Sequence, residues 1–282
     1  MSARLLRGRA DLRSATTPWV RAGERIGVVP TMGALHEGHL SLVAAAKAVC
    51  DRVIVTIFVN PRQFTSPEDL ANYPRTEHED ARKLERFGID VLYVPDADQV
   101  YPEGFATTVS VSGLTEAMDG IHRPGHFDGV ATVVAKLFTQ TSATDAFFGE
   151  KDFQQLQVVR RMARDLDLGV TVHACPTIRE IDGLAMSSRN LLLSDRARVK
   201  APFLHQEMER IAEGLAGGQP FAPLQEAALE RLERADFTGV DYLELRAADD
   251  LTLLDTPTRP ARLFAAAWLA GVRLIDNIAV EP

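Results

Sequence analysis

Two histidines three residues apart, His36 and His39, stand in PTMGALHEGH (residues 30–39), behind an apolar run and ahead of a helical one. A helix start offers unpaired backbone N–H groups and a partial positive charge, which suits a phosphate. The spacing puts both imidazoles on one face of the helix's first turn. There they can donate to phosphate oxygens and stabilise charge building on a leaving pyrophosphate. Gly33 allows a tight bend, and Gly38 clears a place where a flat ring can rest on the backbone. This is a nucleotide site built from histidines rather than from a P-loop lysine, and the chemistry it fits is adenylyl transfer.

Three further groups carry usable chemistry. In FVNPRQF (residues 58–64) the Gln63 amide has donors and an acceptor, suited to holding a hydroxyl and a carboxylate together, with Phe64 as an apolar wall. In FGEKDFQQ (residues 148–155) Lys151 is a compact cation for a phosphate, and Asp152 can take Mg²⁺ directly or through water. Gln155, three residues past Asp152 on an opening helical turn, can face the same cleft. In MSSRN (residues 186–190) two hydroxyls and a guanidinium, Ser187, Ser188 and Arg189, can close onto a triphosphate, although SSR alone also reads as a helix cap. Two weaker groups are Tyr73-Pro-Arg75 with Glu79 and Asp80, which also reads as a solvated helix start, and Arg123–Phe127. The latter reads as a gating loop or as local packing around His126.

These residues must be positioned by an alternating strand and helix pattern. Apolar runs at residues 25–29, 52–59, 90–94, 145–148 and 170–174 read as strands. Helical patterns fall at 40–49, 77–87, 129–140 and 153–167. Strands this apolar are buried on both faces, so a parallel sheet with helices on either side is expected. Ligands collect at the carboxyl edge of such a sheet, where the polar motifs fall. The segment 96–126 is looser, with 107–111 alternating like a strand or hairpin arm. After Pro176 the character changes: helices at 194–216 and 221–235, then strands at 240–245, 262–269 and 272–280, the last two joined by Ala270-Gly271. The expected fold is α/β, with a parallel-sheet domain over residues 1–176. A smaller α+β domain with a three-stranded antiparallel sheet is expected over 177–282.

A net charge of −8 argues against a broad nucleic-acid surface. No window approaches the ~18 continuous apolar residues of a membrane span. The arginine-bearing N-terminus contains Asp11 and no long apolar stretch, so it reads as mature sequence of a cytoplasmic protein. Cys50 and Cys175 have no metal-like spacing and read as buried free thiols.

In this order PTMGALHEGH, FVNPRQF, YPRT, RPGHF, FGEKDFQQL and MSSRN closely resemble the pantoate–β-alanine ligase family, and the resemblance extends to the closing Leu-Ile-Asp-Asn277. HEGH is similar to the HIGH signature of a nucleotidyltransferase superfamily, and MSSRN stands where those proteins carry a lysine-bearing KMSKS loop. Here the loop has no lysine, which leaves more of the phosphate charge to Lys151. The resemblance implies a Rossmann-like N-terminal domain, a smaller C-terminal lid domain, ATP and Mg²⁺, the substrates pantoate and β-alanine, a homodimer, and no nucleic-acid or membrane partner. It implies ATP contacts from Met32, Gly33, Ala34, Leu35, His36, Glu37, Gly38 and His39, with His39 as proton donor. It also implies ATP contacts from Gly149, Glu150, Lys151, Asp152, Met186, Ser187, Ser188 and Arg189, with Ile178 at the adenine. Pantoate falls to Gln63 and Gln155, with Asn60 as a further candidate. Rival readings are a cytidylyltransferase-like enzyme that leaves the nucleotide on a phosphorylated acceptor, an aminoacyl-tRNA synthetase, and a non-catalytic nucleotide-binding regulator.

Overall fold

The computed structural model describes residues 3–282, which divide into two compact units. One holds the residues up to Gly149 together with Gln155–Pro176; the other holds Glu150–Gln154 and Thr177–Pro282. In chain order the first stretch runs β1 (Arg4–Leu6), α1 (Arg9–Ala22), β2 (Ile26–Thr31), α2 (Glu37–Val49), β3 (Arg52–Ile57), α3 (Pro67–Asn72), α4 (Glu77–Glu85), β4 (Val91–Tyr93), α5 (Ala97–Val100), α6 (Asp119–His122), α7 (His126–Thr141), β5 (Asp145–Gly149), α8 (Phe153–Asp165) and β6 (Thr171–Cys175). It continues with α9 (Asp195–Lys200), α10 (Phe203–Ala216), α11 (Phe221–Arg234), β7 (Phe237–Ala247), β8 (Ala261–Leu269) and β9 (Val272–Val280).

In the first unit six parallel strands pair in the order β1-β4-β3-β2-β5-β6. Val28, Val29, Val53, Ile54, Val55 and Val91 are fully buried, as strands covered on both faces require. The α2 residues Leu40, Val43 and Ala46 join Val29, Val53 and Val55 in one apolar cluster. From β4 to β6 the order is that of a doubly wound sheet, and it reverses between β2 and β5. The segment bearing His36 and His39 follows β2, and β5 ends at Gly149, one residue before Glu150.

In the second unit β7, β8 and β9 form an antiparallel sheet. Leu263, Ala265 and Leu274 of one face pack with Leu204, Met208 and Ile211 of α10 and Leu232 of α11. Ala270 and Gly271, with φ of 50° and 79°, make the two-residue turn joining β8 to β9. Positive φ at both central positions matches the twist of the flanking strands.

Four details differ from the sequence reading. β1 and α1 precede the first expected strand. Residues 107–111 form no strand; they run alongside other elements, with Val109 N donating to Thr132 Oγ1 at 2.9 Å and Arg62 Nη1 donating to the Thr107 carbonyl at 3.2 Å. The helix expected over 194–216 is two, α9 and α10, interrupted at Ala201-Pro202, where a proline cannot donate to the preceding turn. His36 is not in the first turn of α2 but caps it, in extended backbone with φ −129° and ψ 174°. Both cysteines are buried and neither is in a disulfide, and burial pushes the Cys50 thiol up to about 11. Among the described residues no helix is long and apolar enough to cross a membrane.

Candidate active site

The histidine segment is held from behind. Thr31, at the end of β2, donates to the Thr56 carbonyl at 2.7 Å and accepts from Gly33 N at 3.2 Å. Gly33 then turns with φ 87°, where a Cβ would stand 3.2 Å from Asp80 Oδ2 and strain the backbone besides. Asp80, wholly buried on α4, accepts from Ala34 N at 2.9 Å, Leu35 N at 2.8 Å and Thr76 Oγ1 at 3.0 Å. Lys83 Nζ donates to the Leu35 carbonyl at 2.8 Å. The chain therefore enters α2 in one orientation.

At that entry the rings of His36 and His39 lie 4.1 Å apart between centroids. His36 N donates to His39 Nδ1 at 3.4 Å. With Nδ1 assigned as an acceptor, the proton of a neutral His39 ring sits on Nε2, the atom that can donate to an anionic oxygen. Asp80 is no solvated helix residue, as one reading of the sequence allowed: a buried carboxylate accepting two backbone N–H groups is a fixed mount for this loop. Asp80→Ala leaves those donors and the Thr76 hydroxyl without their acceptor. We expect a loss of about 3 kcal/mol in urea unfolding, with Asp80→Asn losing less. Equal stability of wild type and Asp80→Ala would refute the mount.

Gln63 closes a short 3-10 turn, Pro61–Gln63, capped by Asn60, whose Oδ1 accepts from Arg62 N at 3.3 Å. Asn60 is only 1% exposed, and both ends of its amide are used. Its Nδ2 donates to Gln63 Oε1 at 2.9 Å and to the Gly129 carbonyl at 3.1 Å, and its Oδ1 accepts from Tyr101 Oη at 2.8 Å. Asn60, which the sequence proposed for the pantoate pocket, is in the structure also a support of Gln63. His126 opens α7 buried, with Nδ1 at 2.7 Å from the Gln63 carbonyl, so RPGHF ends packed against this turn. A Cβ on Gly129 would stand 2.3 Å from the Arg62 carbonyl oxygen. Gly129→Ala should therefore push α7 off the turn, at about 1–3 kcal/mol by overpacking. We expect weaker binding of whatever Gln63 holds, read as a raised KM; an unchanged KM would count against the close approach.

In the second unit Glu150–Asp152 form a 3-10 turn running into α8. The Lys151 side chain is mostly covered, with Nζ 3.6 Å from Asp152 Oδ1. Arg262 Nη2 donates to Glu150 Oε2 at 2.7 Å, which pairs that carboxylate without using the lysine. Ile178 and Met186 are tied together, Met186 N donating to the Ile178 carbonyl at 3.0 Å. Ser187 caps the 3-10 segment Ser188–Leu192, accepting from Arg189 N at 3.2 Å. Ser188 is buried and Arg189 half-buried. Gln155 lies on the first turn of α8, half-buried, and groups with the first unit.

Residues 4–279, nearly the whole chain, match the family model described as pantoate–β-alanine ligase. The chain belongs to the pantoate–β-alanine ligase family. Among relatives, it is 68% identical over 280 residues to a pantothenate synthetase of Roseobacter denitrificans, covering 99% of each chain. It is 66% identical to one of Ruegeria pomeroyi, covering 100% of this chain and 99% of that one. Among solved structures, a pantothenate synthetase from Thermus thermophilus superposes with a TM-score of 0.93 at 44% identity, over 99% of this chain and 100% of that one. A pantoate–β-alanine ligase from Francisella tularensis, in complex with β-γ ATP and β-alanine, gives 0.85 at 31% identity, over 98% and 97%.

Around the family's motifs, sequence reasoning misses the residues that aim them. Asp80 reads two ways, Tyr101 draws no notice, and Gly129 reads only as part of a helix. The one usable signal is the company they keep: Asp80 follows YPRT, and Gly129 stands two residues past RPGHF.

Proposed function

We infer that the chain is an AMP-forming ligase that joins (R)-pantoate to β-alanine with ATP, giving pantothenate through a pantoyl-adenylate intermediate. A free carboxylate does not accept an amine, because its leaving group would be oxide. Attack of the pantoate carboxylate on the α-phosphorus expels pyrophosphate and leaves a mixed anhydride. The β-alanine amine then attacks the acyl carbon and AMP departs. The difficult charge is the one gathering on the departing phosphates. Donors fixed in advance where that charge develops are worth more than groups that must reorganise.

The observation that carries the reading is the imidazole pair at the start of α2, with His39 Nδ1 turned to the helix cap, in a chain matched to the family from residue 4 to 279. In this reading Met32–His39 meet the nucleotide from the first unit. Gly149–Asp152, Met186–Arg189 and Ile178 take the rest of it, and Gln63 and Gln155 hold pantoate. Asn60 acts on pantoate through Gln63. The described residues contain no cluster of three or more histidine, cysteine or acidic side chains that could hold a metal ion. Mg²⁺ in this reading rides on the nucleotide's own phosphates, with Asp152 as the single protein carboxylate, a mode usual for an ion that keeps its water. When bound it neutralises phosphate charge. We also propose that the second unit acts as a lid, that the chain works as a homodimer, and that it works in the cytoplasm.

Incubation with ATP, Mg²⁺, pantoate and β-alanine, followed by mass detection, tests the reaction. Pantothenate and AMP should appear together, and AMP should require the amine. A product that retains the nucleotide would favour the cytidylyltransferase-like alternative. Sedimentation of the purified chain tests the dimer.

A further inference from the structure

We propose that Asn277 on β9 is a positioning residue for Lys151: it sets the turn from which that ammonium reaches the nucleotide. The inference rests on the role given to Lys151 above. Asn277 is 3% exposed and far along the chain from every residue assigned to a substrate. Its Nδ2 donates to the carbonyls of Glu150 at 2.9 Å and Lys151 at 2.8 Å. One amide nitrogen thus spans two successive peptides of the 3-10 turn and fixes both planes. Its Oδ1 accepts from Arg262 Nη1, while Arg262 Nη2 holds the Glu150 carboxylate at 2.7 Å. The Arg262 guanidinium also lies 4.1 Å from the ring centre of Phe153, the next residue after the turn. The turn around Lys151 is therefore clamped on both sides, and the lysine side chain is the part left to act.

The residue before it does the matching work on the other face of the sheet, since neighbours on a strand point to opposite sides. Asp276 binds Arg179 through two bonds, Nη1 to Oδ2 at 2.6 Å and Nη2 to Oδ1 at 2.9 Å, and Arg179 Nη1 also donates to the Gly183 carbonyl at 3.0 Å. Arg179 follows Ile178, whose carbonyl ties down Met186. Burial alone would raise the Asp276 carboxyl. His205, with Nδ1 3.5 Å from Oδ2, and the doubly bonded Arg179 guanidinium outweigh it and hold the group below the usual carboxylate range. One dipeptide on β9 therefore braces both second-unit segments assigned to the phosphates.

Asn277→Asp is nearly isosteric but turns a two-bond donor into an oxygen facing two carbonyls. We expect single-turnover adenylate formation from ATP and pantoate to slow by about 10-fold to 100-fold, as small misplacements of a reacting group do. Conversion of supplied pantoyl adenylate by β-alanine should change by less than about 3-fold, because pyrophosphate has already left. In a Lys151→Ala background the same substitution should have almost no further effect on adenylation. If Asn277→Asp melts below the assay temperature, Asn277→Ser, which removes both donated bonds with less repulsion, is read the same way. Equal loss in both half-reactions, or full additivity with Lys151→Ala, would show a general role in folding and overturn the proposal. So would a wild-type adenylation rate in Asn277→Asp while Lys151→Ala is slow. If Lys151→Ala itself adenylates normally, the role of Lys151 fails first and the proposal falls with it.

Discussion

Alanine at Lys151 slows adenylate formation on the order of 100-fold or more, with unfolding essentially unchanged; this is the largest single effect we expect. The two halves of the expectation have separate grounds. The turn is held by its backbone carbonyls, through Asn277, and by the Arg262–Glu150 pair, so removing the ammonium takes nothing from that framework. What disappears is a compact ammonium; the MSSRN loop has no lysine and offers only the Arg189 guanidinium. Lys151→Arg should recover only part of the rate, because a planar fork is not a compact ammonium. Rapid quench under single turnover, with the adenylate counted by mass, makes the measurement. A rate within about 2-fold of wild type would remove Lys151 from the chemistry.

His39→Ala should cost a comparable factor, on the order of 100-fold in the same step. The substitution removes the Nε2 donor and, with Nδ1, the acceptor for His36 N. His39→Gln separates the two losses. Its amide NH₂ reaches about as far as imidazole Nε2, so it should restore part of the rate. If His39→Gln were no better than alanine while both variants melt like wild type, donation from Nε2 would not be the source of the effect.

How much of this is legible beforehand depends on how local each cause is. β9 reads with its observed bounds, Val272–Val280, because Val272, Leu274, Ile278 and Val280 keep a two-residue period interrupted at Asp276, and the Ala270-Gly271 turn marks its start. β1 does not, because three residues, Arg4–Leu6, give no period to detect and the strand exists only by pairing with β4. Residues 107–111 alternate as a strand would, yet their polar groups are met by Arg62 and Thr132 rather than by a neighbouring strand. In the site, the motifs stand out because buried-strand ends rarely carry clustered polar side chains. The residues that aim them do not, since each acts over a long separation. Asp80 reaches back to Ala34 and Leu35, Gly129 is required by the Arg62 carbonyl, and Asn277 holds a turn beginning at Glu150. A carboxylate or a glycine looks the same on paper whether it faces solvent or a backbone brought in from elsewhere.

The hairpin between β8 and β9 carries a final consequence. Strand faces alternate strictly, so one inserted residue in the Ala270-Gly271 turn would rotate the rest of β9 by a half-period. Asn277 would then point into the helix-packed core, and Asp276 would turn its charge toward the carbonyls of Glu150 and Lys151. Length changes at that distant hairpin should thus be accepted in pairs or with a bulge that restores phase, and a single-residue insertion should silence catalysis without touching any group that meets substrate.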